Sequence, residues 1–169
     1  MTIQRSAEER HTISLLVNNR PGVLIRIALV FSRRGFNLES VVVSPSHHPE
    51  RSRMTLVASG DPATLDQIIK QLNKLVDVIH ARDHTGDIIV ERELALLKVQ
   101  CAAAKRTEVL QIADHFHCDS VDLTETTITF QVTGSSDKLD AVHRAFDKFG
   151  IVESIRSGKL VMVRGAEAT

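Results

Sequence analysis

An α+β protein made of two tandem βαββαβ units is what this sequence predicts, and three observations carry the prediction. Apolar residues alternate at period two and then recur at helical spacing, in the order strand, helix, strand, strand, helix, strand. That order runs twice along the 169 residues. Between the two copies lies a short stretch around Gly86 with charges and no helical pattern.

In the first unit, Ile13, Leu15 and Val17 alternate as one face of a strand over Thr12 to Val17. Val23, Leu24, Ile27, Ala28 and Phe31 then fall at helical spacing, and Gly35 marks a C-terminal stop. Asn37 to Ser44 and Arg53 to Ser59 read as an antiparallel pair of strands joined by Pro45-Ser46-His47-His48-Pro49. Asp61-Pro62 supplies an N-cap and a first helical residue, and Leu65, Ile68, Ile69, Leu72 and Leu75 form the apolar stripe that follows. Val76 to Arg82 closes the unit as a strand.

The second unit repeats this plan. Leu94 to Cys101 is a strand, and Val109, Leu110, Ile112, Ala113 and Phe116 make a helix face. Val121 and Leu123, then Ile128, Phe130 and Val132, alternate on two short strands. Ser135 or Ser136 caps a helix whose buried side carries Leu139, Val142, Phe146 and Phe149, and strands at Ile151 to Ile155 and Leu160 to Val163 complete it. Each unit should form a four-stranded antiparallel sheet with both helices on one face, the ferredoxin-like arrangement, because right-handed crossovers leave that solution open. Val41-Val42-Val43 and Leu94 to Leu97 are apolar on both strand faces, which predicts sheets joined between subunits. The expected organisation is a flexible N-terminus over residues 1–10, a first domain over 11–83, a linker over 84–92, a second domain over 93–165 and a flexible tail over 166–169.

Composition narrows the function. Lys plus Arg number 21 and Asp plus Glu 21, so no net field draws the chain to nucleic acid or to an anionic membrane. Trp and Tyr are absent, which removes the usual platforms for stacking bases. No segment reaches the roughly 20 apolar residues of a membrane span, and Met1 to Arg10 has no signal-peptide core, so a cytoplasmic protein is expected. Cys101 and Cys118 have no metal-ligand spacing and read as buried free thiols. A phosphate-binding glycine fingerprint, a GxSxG elbow and an HExxH pair are all missing, so no catalytic residue and no metal ligand is assigned.

Asn19-Arg20-Pro21-Gly22-Val23-Leu24 is the informative stretch. It joins the first strand to a helix beginning at about Gly22, where unpaired N–H groups and the positive end of the helix dipole favour a carboxylate. Gly22 allows close approach, Pro21 fixes φ at a first helical position, and the Asn19 amide both donates and accepts. A free amino acid carries the matching groups. Taken alone, Pro-Gly only starts a helix.

The first half resembles an ACT domain, the small-molecule-binding βαββαβ module of many enzymes of amino-acid metabolism, on the strength of this Pro-Gly loop. Longer strings narrow the resemblance: Phe31-Ser32-Arg33-Arg34-Gly35-Phe36-Asn37-Leu38-Glu39-Ser40, Ser52-Arg53-Met54-Thr55-Leu56, Lys70-Gln71-Leu72-Asn73-Lys74-Leu75 and Val90-Glu91-Arg92-Glu93-Leu94-Ala95-Leu96-Leu97-Lys98-Val99. With Lys138-Leu139-Asp140-Ala141 and the closing Ser157-Gly158 to Arg164-Gly165 segment, they are similar to the regulatory subunits of acetolactate synthase over His11 to Gly165.

The resemblance implies a non-catalytic subunit of branched-chain amino-acid biosynthesis. Such a subunit activates a larger catalytic partner and confers feedback inhibition by valine. It also implies a homodimer with the effector between two ACT domains, Asn19, Gly22, Val23 and Leu24 cradling it from the loop and Asn37 lying nearby. No cofactor is expected in this chain; thiamine diphosphate, Mg²⁺ and FAD are expected on the catalytic subunit. Leu24 also reads as an ordinary helix-face residue. A stand-alone amino-acid sensor with the same domain is the alternative.

Three departures from the family pattern stand out. His117-Cys118 replaces Arg-Gly after Phe116, and His47-His48 sits where acidic residues are common. His47-His48 reads as a solvated turn and not as a pH sensor, and at His117-Cys118 alternation on entering a strand would point neighbouring side chains to opposite faces, which argues against a metal site. The second unit has Lys105-Arg106-Thr107-Glu108 in place of the Asn-x-Pro-Gly loop, so it reads as a dimerising or partner-contacting domain.

Overall fold

The computed structural model describes residues 9–169. They form two compact units, one reaching to Val90 and including Val161–Thr169, the other spanning Glu91–Leu160.

The first unit contains β1 (Glu9–Asn18), α1 (Val23–Ser32), β2 (Asn37–Pro45), β3 (Arg51–Gly60), α2 (Pro62–Leu72) and β4 (Val78–Asp83). The sheet order is β2-β3-β1-β4 with every neighbouring pair antiparallel. The alternating residues Ile13, Leu15 and Val17 face the helices and pack with Val23, Ile27 and Phe31 of α1 and Leu65, Ile68 and Leu72 of α2. This is the ferredoxin-like arrangement expected from the element order.

Local chemistry sets the helix ends. Asp61 caps α2, its carboxylate accepting from the Thr64 N–H at 2.9 Å, and Pro62 follows it as the first helical residue. At the end of α1 the Phe36 N–H reaches Phe31 O at 3.1 Å and the Gly35 N–H reaches Ser32 O at 3.1 Å. Gly35 has φ +72° there, so this is a Schellman stop, with the Phe31 and Phe36 rings 6.5 Å apart beneath it. Beyond α2, Asn73 lays its side chain along the outer edge of β4, donating to Ala81 O at 3.0 Å and accepting from Ala81 N at 2.9 Å.

Several sequence-derived bounds move. Glu9 and Arg10, expected in a flexible N-terminus, pair with Gly60 and Ser59 in the sheet; residues 1–8 of that segment lie outside the described residues. β4 starts at Val78, because successive tight turns (Leu75 N–H to Leu72 O, Val78 N–H to Leu75 O, both 3.0 Å) hold Val76 in solvent. The linker is shorter than 84–92, since β5 begins at Ile89. His84 fastens its start: its N–H donates to Thr12 O at 2.8 Å and its buried ring meets Ser14 Oγ at 2.7 Å and Asp87 Oδ2 at 3.2 Å. At the far end, the tail expected to be flexible carries an Arg53 Nη1 to Thr169 O bond of 2.6 Å and a Val163 N–H to Thr169 Oγ1 bond of 2.8 Å.

The second unit contains β5 (Ile89–Gln100), a 3-10 turn at Ala103–Lys105, α3 (Arg106–His115), β6 (Asp119–Leu123), β7 (Thr127–Gly134), α4 (Ser136–Asp147), β8 (Ile151–Arg156) and β9 (Leu160–Val163). The order β6-β7-β5-β8 repeats that of the first sheet, with β9 also paired to β5. Its core gathers Leu97, Val99, Val109, Ile128, Phe130, Leu139, Val142 and Phe146. Of the two candidate caps, Ser135 is the one used, accepting from the Lys138 N–H. Glu93 is buried and paired with Ser136 and Arg156.

His117 closes the C-terminal end of α3. It has φ +54°, the left-handed region, with its N–H on Asp114 O at 3.0 Å and the Cys118 N–H on Ala113 O at 2.8 Å. A histidine therefore occupies the position of a Schellman stop where glycine is the unstrained choice. Cys101 is buried; Cys118 is only half-buried, and burial raises its thiol pKa above the ordinary range. Among the described residues no helix is long and apolar enough to cross a membrane.

Candidate functional site

The loop between β1 and α1 is a type II turn followed by an uncapped helix. Val23 N–H points back to Arg20 O at 3.4 Å across Pro21-Gly22, and Gly22 has φ +82° and ψ −4°. These are the angles of the third residue of that turn, where a Cβ would be strained. Pro21 is therefore the second residue of the turn and not the first helical residue, as the sequence had indicated. Gly22 itself is the N-cap, and no side chain caps α1.

The first intrahelical bond is Arg26 N–H to Gly22 O at 3.2 Å. Leu24 and Ile25 thus keep N–H groups without an intrahelical acceptor, at the positive end of the helix and with no acidic residue in its first turn. The Val23 N–H is partly occupied by Arg20 O, so the donors open to an anion in the first turn of α1 are those of Leu24 and Ile25.

The loop is held from two sides. Asn18 N–H donates to Asp77 O at 2.8 Å, and Arg26 of α1 pairs with the Asp77 carboxylate. On the other side, Asn19 N–H donates to Glu50 O at 2.8 Å and the Asn19 side-chain amide donates to Pro49 O at 3.3 Å. The β2–β3 turn that carries His47-His48 is thereby the brace of the Asn19 loop. The two imidazole rings are exposed and lie 4.0 Å apart, centroid to centroid.

Of the residues singled out from the sequence, Val23 is buried in the core, so only its backbone faces the loop; Leu24 is 46% exposed. Asn37 stands elsewhere. It follows the Gly35 stop at the far end of α1, beside an open depression of ≈480 Å³ lined by Ala28, Phe31, Gly35 and Leu38. Ten residues of helix separate it from the loop, about 15 Å. In one chain the Asn19–Leu24 loop and Asn37 stand at opposite ends of α1.

An apolar surface runs between these two ends. Leu24, Ile25 and Leu29 project from α1, and Val41 and Val43 project from edge strand β2, all of them exposed. Val41 and Val43 stand opposite Leu56 and Met54, on the helix side of the sheet, whereas Val42 pairs with Thr55 on the other side. A contiguous patch of this kind on a small unit marks an interaction surface.

The family of the chain follows from comparison with known proteins. Residues 13–80 match the ACT domain of the AHAS small subunit-like family, and residues 92–165 match the family described as the small subunit of acetolactate synthase. The acetolactate synthase small subunit of Mycobacterium bovis is 44% identical over 155 residues, covering 92% of both chains. The chain belongs to the acetolactate synthase small-subunit family. The probable acetolactate synthase small subunit of Methanothermobacter thermautotrophicus is likewise 44% identical, over 94% of this chain and 95% of its own. The crystal structure of the acetolactate synthase small subunit from Thermotoga maritima superposes with a TM-score of 0.82 at 33% identity, covering 94% of this chain and 99% of that one. Both ferredoxin-like units therefore lie inside the family's matched span, and the Pro-Gly loop falls in the part matched as an ACT domain.

Proposed function

We propose that this chain is the regulatory, non-catalytic subunit of a cytoplasmic acetolactate synthase, activating a larger catalytic subunit and making it sensitive to valine. Thiamine diphosphate, Mg²⁺ and FAD belong to that catalytic subunit in this reading, and this chain carries only the effector.

The observation that carries the reading is the placement of complementary groups at the two ends of α1. The Gly22 end offers open N–H donors to a carboxylate, and the Asn37 end offers a second polar group beside a depression. A single chain cannot close them on one ligand. Two copies related by a two-fold axis, joined along α1 and the β2 edge, would bring the loop of one against Asn37 of the other and would cover Ile25, Leu29, Val41 and Val43. Such a homodimer holds two equivalent sites with aliphatic walls, which match a branched aliphatic amino acid. Effector binding then shifts the catalytic subunit between states by linkage.

Titration of the reconstituted enzyme with valine, leucine and isoleucine tests partner, ligand and direction together. Activation by this chain with inhibition by valine is expected. A chain that binds valine yet neither activates nor inhibits the large subunit would instead be a stand-alone sensor.

A further inference from the structure

We propose that the loop over residues 164–169 is a displaceable cover on the outer face of the first sheet, and that the arginines beneath it, Arg53 and Arg82, dock an acidic segment of the catalytic subunit. The inference rests on the regulatory reading above and adds where the partner sits and what it must displace.

Strand parity defines the face. Ile13, Leu15 and Val17 point to the helices, so Ser14 and Leu16 point away from them. Cross-strand register places Ser14, Thr55 and Arg82 in one row of that outer face, and Leu16, Arg53 and His80 in the next. Neither row contains Asp or Glu. The strands therefore present two permanent positive charges and supply no counter-charge of their own. The anions that meet these arginines come from segments laid over the sheet.

Those anions are unequal. Asp87 Oδ2 holds Arg82 Nη2 at 3.0 Å and is itself fixed to the buried ring of His84 at 3.2 Å. Glu167 reaches the other nitrogen, Arg82 Nη1, only at 3.9 Å and is 77% exposed. Arg53 has no carboxylate partner among the described residues; its Nη1 donates to the Thr169 carbonyl at 2.6 Å, a neutral acceptor that leaves the charge uncompensated. The loop closes on itself through the Val163 N–H to Thr169 Oγ1 bond of 2.8 Å. Residues 164–168 are exposed, and none of them joins the core of the unit. The cover can therefore leave as one piece, losing only exposed polar contacts that are individually weak.

The same contacts identify the occupant. What the loop offers the two arginines, a carboxylate and a main-chain carbonyl, an acidic stretch of another chain offers as well. A second carboxylate in place of the Thr169 carbonyl would also compensate Arg53, so such a segment binds better than the cover does. With 21 basic and 21 acidic residues, the chain has no net field to draw a polyanion such as nucleic acid to this face. The dimer proposed above uses the helix side and the β2 edge, so it does not compete for the outer face.

Titrating the catalytic subunit with the full chain, and reading the concentration that gives half of the maximal activation, tests the proposal. Glu167→Ala should lower that concentration severalfold, because the competing carboxylate is gone. Arg53→Glu and Arg82→Glu should each raise it by roughly tenfold or more, whereas Arg53→Lys, which keeps the charge, should stay within about twofold of the parent. Added salt should weaken the parent more than the chain that carries both reversals. Glu167→Ala alters one exposed side chain, so it keeps the test decisive even if a charge reversal fails to fold. An unchanged value in Glu167→Ala, or in both charge reversals, overturns the proposal while leaving the regulatory reading standing. A parent chain that does not activate the catalytic subunit overturns both.

Discussion

Gly22 and Asn37 bracket the ten residues of α1, one at its positive end and one beyond its Schellman stop. Neither can be moved toward the other without unwinding the helix. Any small ligand that needs both must find them on different chains.

Gly22→Asp should abolish inhibition by valine while sparing activation of the catalytic subunit. Its φ of +82° disfavours any side chain, and the added Cβ would lie 3.6 Å from Arg26 Nη1. The new carboxylate would occupy the anion position at the helix end. Valine affinity by calorimetry and inhibition of the reconstituted enzyme are the measurements, and unchanged values for both would place the effector elsewhere.

Asn37→Ala should weaken valine more mildly, by about 1.5–3 kcal/mol if one hydrogen bond to a charged group is lost. A hybrid dimer gives a sharper outcome. One chain carrying Gly22→Asp and the other carrying Asn37→Ala should retain one intact site of two, because both lesions fall in the same site and the other pairs an intact loop with an intact Asn37. Half of the parental valine stoichiometry at parental affinity is expected, whereas half at the weakened affinity of Asn37→Ala would mean that each site is built within one chain.

Ile25→Asp and Val43→Asp should each convert the proposed dimer to monomer without unfolding it. Both side chains are exposed in the single chain, at 66% and 47%, so a charge there has little to disrupt until a second copy covers it. Sedimentation at micromolar concentration distinguishes the states, and a persistent dimer in both variants would assign the interface to another surface.

His117→Gly should stabilise the second unit by about 1 kcal/mol, the cost of holding an L side chain in the left-handed region. Its φ of +54° and its two stop bonds are set by backbone alone, so the histidine ring is not required for them. Denaturant unfolding measures the gain, and a loss of stability would show that the ring makes contacts worth more than the strain.

The elements that were legible in the sequence are those decided by neighbours along the chain. Ile13, Leu15 and Val17 announce a strand face, and Asp61-Pro62 announces a helix start, because period and cap chemistry are local. Asn-x-Pro-Gly admits either a helix starting at Pro21 or a type II turn with the helix starting two residues later at Val23, and the φ of Gly22 chooses between them. The Asn19–Pro49 bond crosses thirty residues and exists only once the β2–β3 turn has folded back onto the loop. The family strings named Asn37 but could not say which end of α1 it would occupy relative to the ligand.

The side chain of Asn73 has a consequence for growth of the assembly. By bonding both backbone groups of Ala81, it stands in for a missing neighbour strand at the outer edge of β4. A sheet with two open borders could add copies without end, whereas here the outward-facing backbone of Ala81, within the β4 border, is already occupied from the end of the unit's own helix. If the proposed association runs through the opposite border, β2, this block at β4 works against a further copy and so favours a pair over a filament.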